Sequence, residues 1–197
     1  HGKLGNVRLT VLGCSGSVVG ADSPASGYLI TAPDTVPMVV DFGGGVLGVL
    51  QRYADPNSVN VLLSHLHADH CLDLPGLFVW RRYHPAPATT RGIMYGPADT
   101  RARLGAASSP EVGEIDDFTD IFDVRTWADG ESVELGALRV TPRRVCHPTE
   151  SYGMRFTDPS GAALVYSGDT GYCDELVDLS LGADVLLCEA SWTHDPA

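Results

Sequence analysis

The chain has 197 residues, of which 44% are hydrophobic and 19% are charged, and it carries a formal net charge of −12 at pH 7. This length suffices for one compact domain over residues 1–197, and the negative charge together with the single lysine, Lys3, argues against a nucleic-acid partner and against Schiff-base chemistry. No apolar run reaches the roughly 20 residues of a membrane span and no signal-peptide pattern opens the chain, so we expect a soluble, cytoplasmic protein without a membrane partner.

Runs of β-branched and apolar residues bounded by Gly, Pro, Asp and Ser predict strands. In chain order these runs lie at residues 7–13, 27–32, 38–42, 59–64, 121–127, 137–145, 152–157, 162–167 and 183–189. Apolar residues that recur at i+3 and i+4 predict helices near residues 45–53, 71–83, 97–106 and 173–181. The acidic stretch 111–120 is predicted to be a solvated loop. Many strands with a few interspersed helices indicate a mixed α/β domain.

The segment Gly43–Gly48 reads GGGVLG and has the G-x-G-x-x-G spacing of dinucleotide sites. However, it follows several strands, and no convincing acidic residue closes a second βα strand, as such a site requires. A tight turn from strand to helix is therefore the favoured interpretation, and nucleotide binding is the alternative.

The cysteines are five in number, widely spaced and without a C-x-x-C pair: Cys14, Cys71, Cys146, Cys173 and Cys188. This pattern argues against a disulfide framework or a thiolate zinc site, and we expect reduced, mostly buried thiols. We interpret Cys71 and Cys146, which lie next to candidate ligands, as small buried residues rather than as ligands.

The segment LSHLHADHC, residues 63–71, concentrates three of the seven histidines and an aspartate within six residues. It follows a run that is apolar on both faces, and the carboxyl end of a buried strand is where layered α/β proteins place function. His65 and His67 can point the same way from an extended turn, while Asp69 and His70 begin the next helix. Four nitrogen and oxygen ligands exceed what one tetrahedral ion with an open position takes, which suggests two metal ions.

This motif resembles the signature of the metallo-β-lactamase superfamily, and further segments resemble that family in order. They are VLGCSGS at 11–17, VVDFGGG at 39–45, VCHPTESYG at 145–153, YSGDTG at 166–171 and ADVLLCEAS at 183–191. The last segment is similar to the tRNase Z-like branch, with Glu189 present and Cys188 where histidine is usual. The resemblance implies an α/β fold that is a four-layer αββα sandwich, with a two-metal site at one edge.

By matching positions, the resemblance implies metal ligands at His65, His67 and His147 for one ion and at Asp69 and His70 for the other, with Asp169 bridging. Asp41 would orient a ligand histidine, with a strand-end turn residue as the alternative, and Glu189 would support the ligands. Imidazole and carboxylate ligands suit two zinc ions, and also manganese or iron. Asp69 would act catalytically by orienting a metal-activated hydroxide.

The finer details of these segments resemble a bacterial group of atypical class II cyclic-nucleotide phosphodiesterases. That resemblance implies hydrolysis of 3′,5′-cyclic AMP, a small cyclic nucleotide. Two alternatives stay open within hydrolases: a tRNase Z-like 3′ endoribonuclease, although no basic Gly/Pro-rich arm is found, and another phosphodiester, sulfate-ester or thioester hydrolase. A non-catalytic, metal-dependent binding or sensor domain is the alternative from another class.

Two arginine pairs are candidates for contact with a phosphate: Arg81 and Arg82, followed by His84, and Arg143 and Arg144, which precede His147. Solvated surface is the alternative interpretation for both pairs. Three aromatic residues, Trp80, Tyr83 and Tyr152, could stack on a purine, but core packing is the favoured interpretation, and Tyr152 is kept as a candidate substrate contact.

The superfamily normally continues with a helix, a strand and a last histidine, whereas this sequence stops at SWTHDPA. His194 lies too close to Glu189 to supply that ligand. We therefore expect this form to be impaired at the second metal, and we expect bare edge strands to favour a homo-oligomer.

Overall fold

The computed structural model describes residues 7–190, and within them two β-sheets are built from eleven strands. The first six strands form one sheet in chain order: β1 (Arg8–Gly13), β2 (Gly27–Thr31), β3 (Met38–Val40), β4 (Asn60–Leu62), β5 (Gly92–Gly96) and β6 (Phe122–Thr126). The other five form a second sheet in the spatial order β11-β10-β9-β8-β7: β7 (Val133–Leu135), β8 (Leu138–Arg144), β9 (Tyr152–Thr157), β10 (Ala163–Tyr166) and β11 (Val185–Leu187).

The helices are short: α1 (Val46–Leu50), α2 (Ala68–Cys71), α3 (Leu74–Tyr83), α4 (Thr100–Ser108) and α5 (Asp174–Ser180), with a 3₁₀ turn at Pro56–Ser58. Among the residues that the structure describes, no helix has both the length and the apolar character needed to cross a bilayer.

Successive side chains of a strand point to opposite faces of the sheet, so the buried strands of the first sheet contribute to two hydrophobic cores, one on each face. In β3, Val39 packs with residues of α1 and α3, whereas Val40 packs between the two sheets against residues of the second sheet. Helix α5 covers the outer face of the second sheet, where Leu179 is buried and Arg155 of β9 donates to its carbonyl oxygen at 2.7 Å. Helices therefore flank two facing sheets, and the four-layer αββα prediction is confirmed.

The strand directions bring several carboxyl ends to one edge. Strands β3 and β4 are parallel, while β8 and β10 both run antiparallel to β9 and therefore share a direction. The two sheets meet at this edge, because the backbone N–H of Tyr152 donates to the carbonyl oxygen of Ser64 at 3.0 Å. The loops that follow β3, β4, β8 and β10 consequently face one another.

Each of the nine predicted runs contains an observed strand, but two strands were missed. Strand β5 begins and ends with glycine, which disfavours a strand prediction, and β7 has only three residues. The helix predicted over 71–83 is two helices, since α2 already starts at Ala68 and a new helix begins with Pro75 in its first turn. The predicted location of Asp69 and His70 at a helix start is confirmed.

Two predictions about exposure were partly wrong. The stretch 111–120 forms no helix or strand, yet Phe118 within it is buried and stacks on Phe78 with ring centroids 4.4 Å apart. All five cysteines lie in the described part of the chain and are free, but only Cys71 is buried, while Cys14, Cys146 and Cys188 are exposed. Small size allows either placement, so burial could not be inferred from residue type alone. Lys3 and His194 lie outside the described residues.

Candidate metal centre

The LSHLHADHC segment leaves the first sheet at the end of β4. The N–H of Leu63 still bonds to the carbonyl oxygen of Tyr95 at 2.8 Å, so the chain remains anchored up to Ser64. His65 is buried, His67 precedes the first turn of α2 and is exposed, and His70 returns to the interior. The extended turn thus places three imidazoles around one site, two of them buried and one at the surface.

The first group of candidate ligands consists of three imidazoles, His65, His67 and His147. Nε2 of His65 lies 3.1 Å from Nδ1 of His67, and Nε2 of His147 lies 3.2 Å from that same Nδ1. His147 comes from the loop after β8, so the fold joins residues 80 positions apart. The convergence expected for the three histidines is present.

The second group consists of His65, His70 and Asp169, so His65 belongs to both groups. The Oδ1 of Asp169 lies 3.1 Å from Nε2 of His70, while its Oδ2 lies 3.9 Å from Nε2 of His65. The Oδ2 of Asp69 lies 3.5 Å from Nε2 of His70. One carboxylate therefore presents one oxygen to each group, which is the arrangement a bridging ligand requires.

The spacing of these atoms fits divalent cations. In each group the ligand atoms lie within 4.8 Å of one another. Nitrogen ligands about 2.0–2.1 Å from a tetrahedral zinc ion stand about 3.3 Å apart, which matches the separations within the first group. The donors are imidazole nitrogens and carboxylate oxygens, which zinc, manganese and iron all accept. We assign the ligand roles themselves as part of the function proposed below.

The surroundings of the two innermost imidazoles, His65 and His70, shift their pKa values in opposite directions. Burial and the neighbouring charge of His70 lower the pKa of His65 to about 4. Burial also opposes charge on His70, but Asp41 and Asp169 outweigh it and raise the pKa of His70 to about 10. The rings lie with centroids 4.1 Å apart, so at neutral pH the positive charge on His70 opposes a second charge on His65.

Asp41 lies directly beneath the two groups and is fully buried. Although burial opposes its ionisation, the charge of His70 and its hydrogen bond hold the pKa of Asp41 below its ordinary value. Its Oδ2 accepts a hydrogen bond from Nδ1 of His70 at 2.8 Å, which is the contact expected of a residue that orients a ligand. The residue adopts φ 57°, a left-handed conformation that aspartate tolerates better than most residues.

The glycines after Asp41 allow a close backbone contact and a left-handed backbone conformation. A Cβ on Gly43 would lie 1.8 Å from the carbonyl oxygen of Asp69, so only glycine allows this loop to pack against the ligand segment. Gly45, at φ 86°, precedes α1 directly. These contacts favour the tight strand-to-helix turn over the dinucleotide interpretation of GGGVLG.

A cleft of about 520 Å³ opens beside Asp69 and His70. Its walls come from β1 and the loop after it, from the start of β2 and from the end of β11 with the residues that follow: Val11, Cys14, Ser15, Gly16, Ser17, Ser26, Tyr28, Leu187, Cys188, Glu189 and Ala190. Burial raises the pKa of Asp169, but the hydrogen bond and charge of His70 outweigh it, and a hydrogen bond between Asp169 and Glu189 also lowers that pKa. Glu189 is therefore in position to support a ligand, while the loop at residues 14–17 was quoted in the motif but not predicted as a wall.

The first arginine pair does not reach the centre, so its prediction as a phosphate contact was wrong. Arg81 is 1% exposed, and its guanidinium donates to the carbonyl oxygens of Asn57 and Thr90, both at 2.8 Å. Arg82 pairs with Asp116 and Asp120 at 2.8 Å each. Both lie near the far end of α3 (Leu74–Tyr83), roughly 11–12 Å along the helix from its start, because each residue adds about 1.5 Å.

The two arginines of the second pair, Arg143 and Arg144, lie in different environments. Nε of Arg143 lies 3.6 Å from Asp129, while NH1 of Arg144 lies 3.5 Å from Oε1 of Glu150. Arg144 is exposed, and its guanidinium carbon lies 5.6 Å from the ring centre of Tyr152. Only Arg144 therefore keeps a place beside the loop that carries His147.

The candidate role of Tyr152 as a substrate contact was wrong, and the favoured core packing is present. Its ring is 3% exposed and packs between the sheets, and its hydroxyl donates to Glu150 at 2.7 Å. Trp80 instead stacks on His84 with centroids 4.3 Å apart, on the same distant part of α3 as Tyr83. The core-packing interpretation therefore holds for Tyr152.

Sequence reasoning missed three supporting residues, Ser64, Tyr166 and Glu150. Glu150 accepts a hydrogen bond from the N–H of Ala98 at 3.3 Å and so ties the His147 loop to the first sheet. Ser64 and Tyr166 stand inside quoted motifs, but no pattern distinguished them from ordinary strand-end residues.

Comparisons with known proteins agree with this geometry. The family described as the Beta-lactamase superfamily domain matches residues 39–197. The chain is 74% identical over 196 residues to the uncharacterized protein ML1173 of Mycobacterium leprae, covering 100% of this chain and 69% of that protein. It is 28% identical over 204 residues to the Bacillus subtilis protein named Probable metallo-hydrolase YhfI, covering 96% of this chain and 74% of that protein.

Two solved structures share the fold. The crystal structure of YhfI aligns with a TM-score of 0.77 at 26% identity, covering 91% of this chain and 70% of that one. The structure of human tRNase Z, short form, aligns with a TM-score of 0.71 at 21% identity, covering 90% and 76%.

Proposed function

The chain belongs to the metallo-β-lactamase superfamily, and from this premise we propose that it is a metal-dependent hydrolase that opens the phosphodiester ring of 3′,5′-cyclic nucleotides, cyclic AMP above all. The observation that carries the hydrolase proposal is the convergence of two ligand groups that share His65, with one oxygen of Asp169 near His65 and the other near His70. The relative YhfI, named as a probable metallo-hydrolase, supports the same class. The choice of cyclic AMP is supported by the motif resemblance given above.

In this proposal the imidazoles of His65, His67 and His147 hold one cation and Asp69 and His70 hold the other, with Asp169 between them. Such cations, when bound, would lower the pKa of water from 15.7 to about 7 and offset the charge of the phosphodiester. The imidazole of His65 is uncharged at neutral pH, because its pKa is about 4, and therefore offers a free lone pair.

Asp69 is the candidate catalytic residue. Its side chain is 16% exposed and lines the cleft, so it can reach a water molecule there while its oxygen stays 3.5 Å from His70. Asp69 would orient the attacking water and accept its proton as the oxygen bonds to phosphorus. One ring P–O bond then breaks, and the leaving oxygen takes up a proton to give a nucleoside monophosphate.

Arg144 is the proposed contact for the phosphate or for another anionic part of the substrate. It is the member of the four predicted arginines that is exposed beside the His147 loop. A small substrate suits the net charge of −12 better than a long polyanion does, because acidic proteins repel phosphate backbones.

A ribonuclease Z-like activity is the second candidate, since human tRNase Z shares the fold at a TM-score of 0.71. The acidic charge opposes this candidate. A metal-dependent binding or sensor domain would use the same ligands without turnover.

One assay separates these three possibilities. Cyclic AMP, cyclic GMP, bis(p-nitrophenyl) phosphate and a precursor tRNA are incubated in parallel with protein loaded with Zn²⁺ or Mn²⁺, with and without EDTA. We expect metal-dependent turnover of cyclic AMP with the highest kcat/KM of the four. Cleavage of precursor tRNA alone would favour the ribonuclease, and chelator-sensitive binding without turnover would favour the sensor.

The variant Asp69→Asn tests the catalytic assignment. We expect kcat to fall by about 10² to 10⁴, the contribution typical of a general base. Metal content is measured in the same samples by atomic emission. Asp99→Asn is the matched control, because Asp99 is an exposed carboxylate at the start of α4 without a side-chain capping bond. Equal rates in the two variants would contradict the assignment.

A further inference from the structure

The side chain of Asp41 accepts four hydrogen bonds beneath the centre, three from Ser64 and Tyr166 and one from His70. Its Oδ2 accepts from the hydroxyl of Ser64 at 2.7 Å, from the hydroxyl of Tyr166 at 2.7 Å and from Nδ1 of His70 at 2.8 Å. Its Oδ1 accepts from the backbone N–H of Ser64 at 2.8 Å. Ser64 is fully buried and Tyr166 is 3% exposed, so water does not compete for these bonds.

The hydroxyl of Ser64 has a single proton and two possible acceptors. One is Oδ2 of Asp41 at 2.7 Å, and the other is Nδ1 of His65 at 3.0 Å. An ionised carboxylate can only accept, so a Ser64 proton pointed at His65 would leave two oxygens facing each other without a proton between them. Bonds to a charged acceptor are also about twice as strong as neutral ones. Ser64 therefore donates to Asp41.

This direction fixes the protonation of His65. Since the Ser64 oxygen has given its proton to Asp41, it can only accept from the ring, and Nδ1 of His65 must carry a hydrogen. The lone pair of His65 is then on Nε2, the atom that lies 3.1 Å from His67 and 3.9 Å from Asp169. Nδ1 of His70 likewise donates to Asp41, which leaves its Nε2 to face Asp169.

We infer that Ser64 is a positioning residue that relays the hydrogen-bond direction set by Asp41 to His65, so that one buried carboxylate orients the His70 ring and sets the tautomer of His65. Asp41 orients His70 by a direct hydrogen bond, and it acts on His65 through the serine hydroxyl. The inference rests on the proposed metal centre but is independent of which substrate the protein hydrolyses.

Tyr166 provides an internal contrast to Ser64. Its hydroxyl reaches Asp41 from β10, 125 residues away along the chain, and its recorded hydrogen bond goes to the carboxylate and not to His65. It therefore holds the carboxylate between the two sheets, but it does not decide which nitrogen of His65 carries the hydrogen.

The first experiment reads the tautomer directly. The metal-free protein is labelled with ¹⁵N-histidine, and two-bond nitrogen–proton NMR spectra are recorded at pH 7, with His65→Gln used to assign its signals. We expect His65 to show a protonated Nδ1 and an unprotonated Nε2. A protonated Nε2 in the wild-type protein would overturn the inference without the need for any Ser64 variant.

The second experiment measures Zn²⁺ affinity by competition with a chromophoric chelator. Ser64→Thr keeps the hydroxyl and Ser64→Val replaces it with a methyl group of the same shape, and we expect Val to bind about 10- to 100-fold more weakly than Thr. Ser64→Ala serves if a branched side chain prevents folding. Tyr166→Phe should keep the His65 tautomer and bind Zn²⁺ within about threefold of wild type, an effect below the range for a lost relay.

The outcomes are distinguishable. Equal Zn²⁺ affinity in Ser64→Val, Ser64→Ala and Ser64→Thr would overturn the relay even if the enzyme is active. Failure of the wild-type protein to bind Zn²⁺ or Mn²⁺ would instead contradict the proposed function, while the tautomer spectrum would still decide the direction of the Ser64 bond.

Discussion

The floor and the rim of the candidate metal centre are held in different ways. The floor, which we define as Asp41, Ser64, His65 and His70, is buried and hydrogen-bonded to the sheets beneath it. The rim, defined as His67, Asp69, His147 and Arg144, is exposed or half-buried. Within residues 7–190 the rings of His67 and His147 form hydrogen bonds only with other rings of the centre.

This difference indicates what fixes each part. The floor is organised by folding, because its polar groups are satisfied by the protein itself. The imidazoles of the rim lack such hydrogen bonds to the sheets, so a bound cation would fix their positions. Substitutions in the floor should therefore change the stability of the metal-free protein, whereas substitutions in the rim should change metal binding and catalysis alone.

The largest effect is expected in the rim. His147→Ala removes one of three nitrogen ligands, so Zn²⁺ affinity should fall by more than the about 100-fold seen when a supporting residue is lost, and turnover should fall with it. The free energy of unfolding of the metal-free protein should change by no more than about 0.5 kcal/mol, as for other surface substitutions. Competition titration and urea unfolding measure the two quantities.

His84→Ala is the matched control for that variant. His84 is also a half-buried histidine, but it stacks on Trp80 at the end of α3, away from the centre. It should retain metal and activity. If His147→Ala retained Zn²⁺ as His84→Ala does, His147 would not be a ligand.

The next effect is expected in the floor. Asp41→Asn replaces a charged acceptor with an amide that must meet several donors, so the free energy of unfolding should fall by about 3 kcal/mol, and Zn²⁺ affinity should fall too. Asp34→Asn is the control, because Asp34 has a similar φ of 53° in an exposed turn and should change stability by about 0.5 kcal/mol or less. Equal stability of the two variants would mean that the floor is not held by Asp41.

The floor and the rim also differed in how far the sequence could predict them. The clustered spacing of His65, His67, Asp69 and His70 indicated a metal site, and the strand patterns indicated the layers that bring His147 to it. The sequence could not predict which way an individual side chain points and which groups it contacts. Arg81 and Arg144 both follow or precede ligand segments, but only the structure shows that one is buried in carbonyl contacts and the other is exposed.

Hydrogen bonds between side chains of the two sheets could not be predicted from the sequence either. Nothing in YSGDTG indicates that Tyr166 reaches Asp41, because that contact depends on how β10 faces β3. The predicted second-metal impairment and the last family histidine concern the chain after residue 190, so they stay predictions.

A smaller effect is expected at Gly43, where the floor loop touches the ligand segment. Gly43→Ala should lower the free energy of unfolding by about 1–3 kcal/mol, as overpacking does, because its Cβ would meet the carbonyl oxygen of Asp69. It should also weaken Zn²⁺ binding by displacing Asp69. Gly48→Ala, in the same GGGVLG segment, has open space and lies within α1, so it should raise stability by about 0.5–1 kcal/mol.

The smallest effect is expected at Arg144, which belongs to the rim without being a candidate ligand. Arg144→Gln should raise the KM for cyclic AMP by about 10-fold, the value of one lost charge-assisted contact, with kcat and metal content nearly unchanged. Arg143→Gln is the control, because the side chain of Arg143, the preceding residue on β8, lies near Asp129 rather than beside the His147 loop. Steady-state kinetics on both variants decide the matter, because a fall in kcat without a change in KM would place Arg144 with the reacting atoms and not with substrate binding. An unchanged KM and kcat in both would remove the arginines from the substrate site and leave the cleft beside Asp69 as the place to search for its recognition residues.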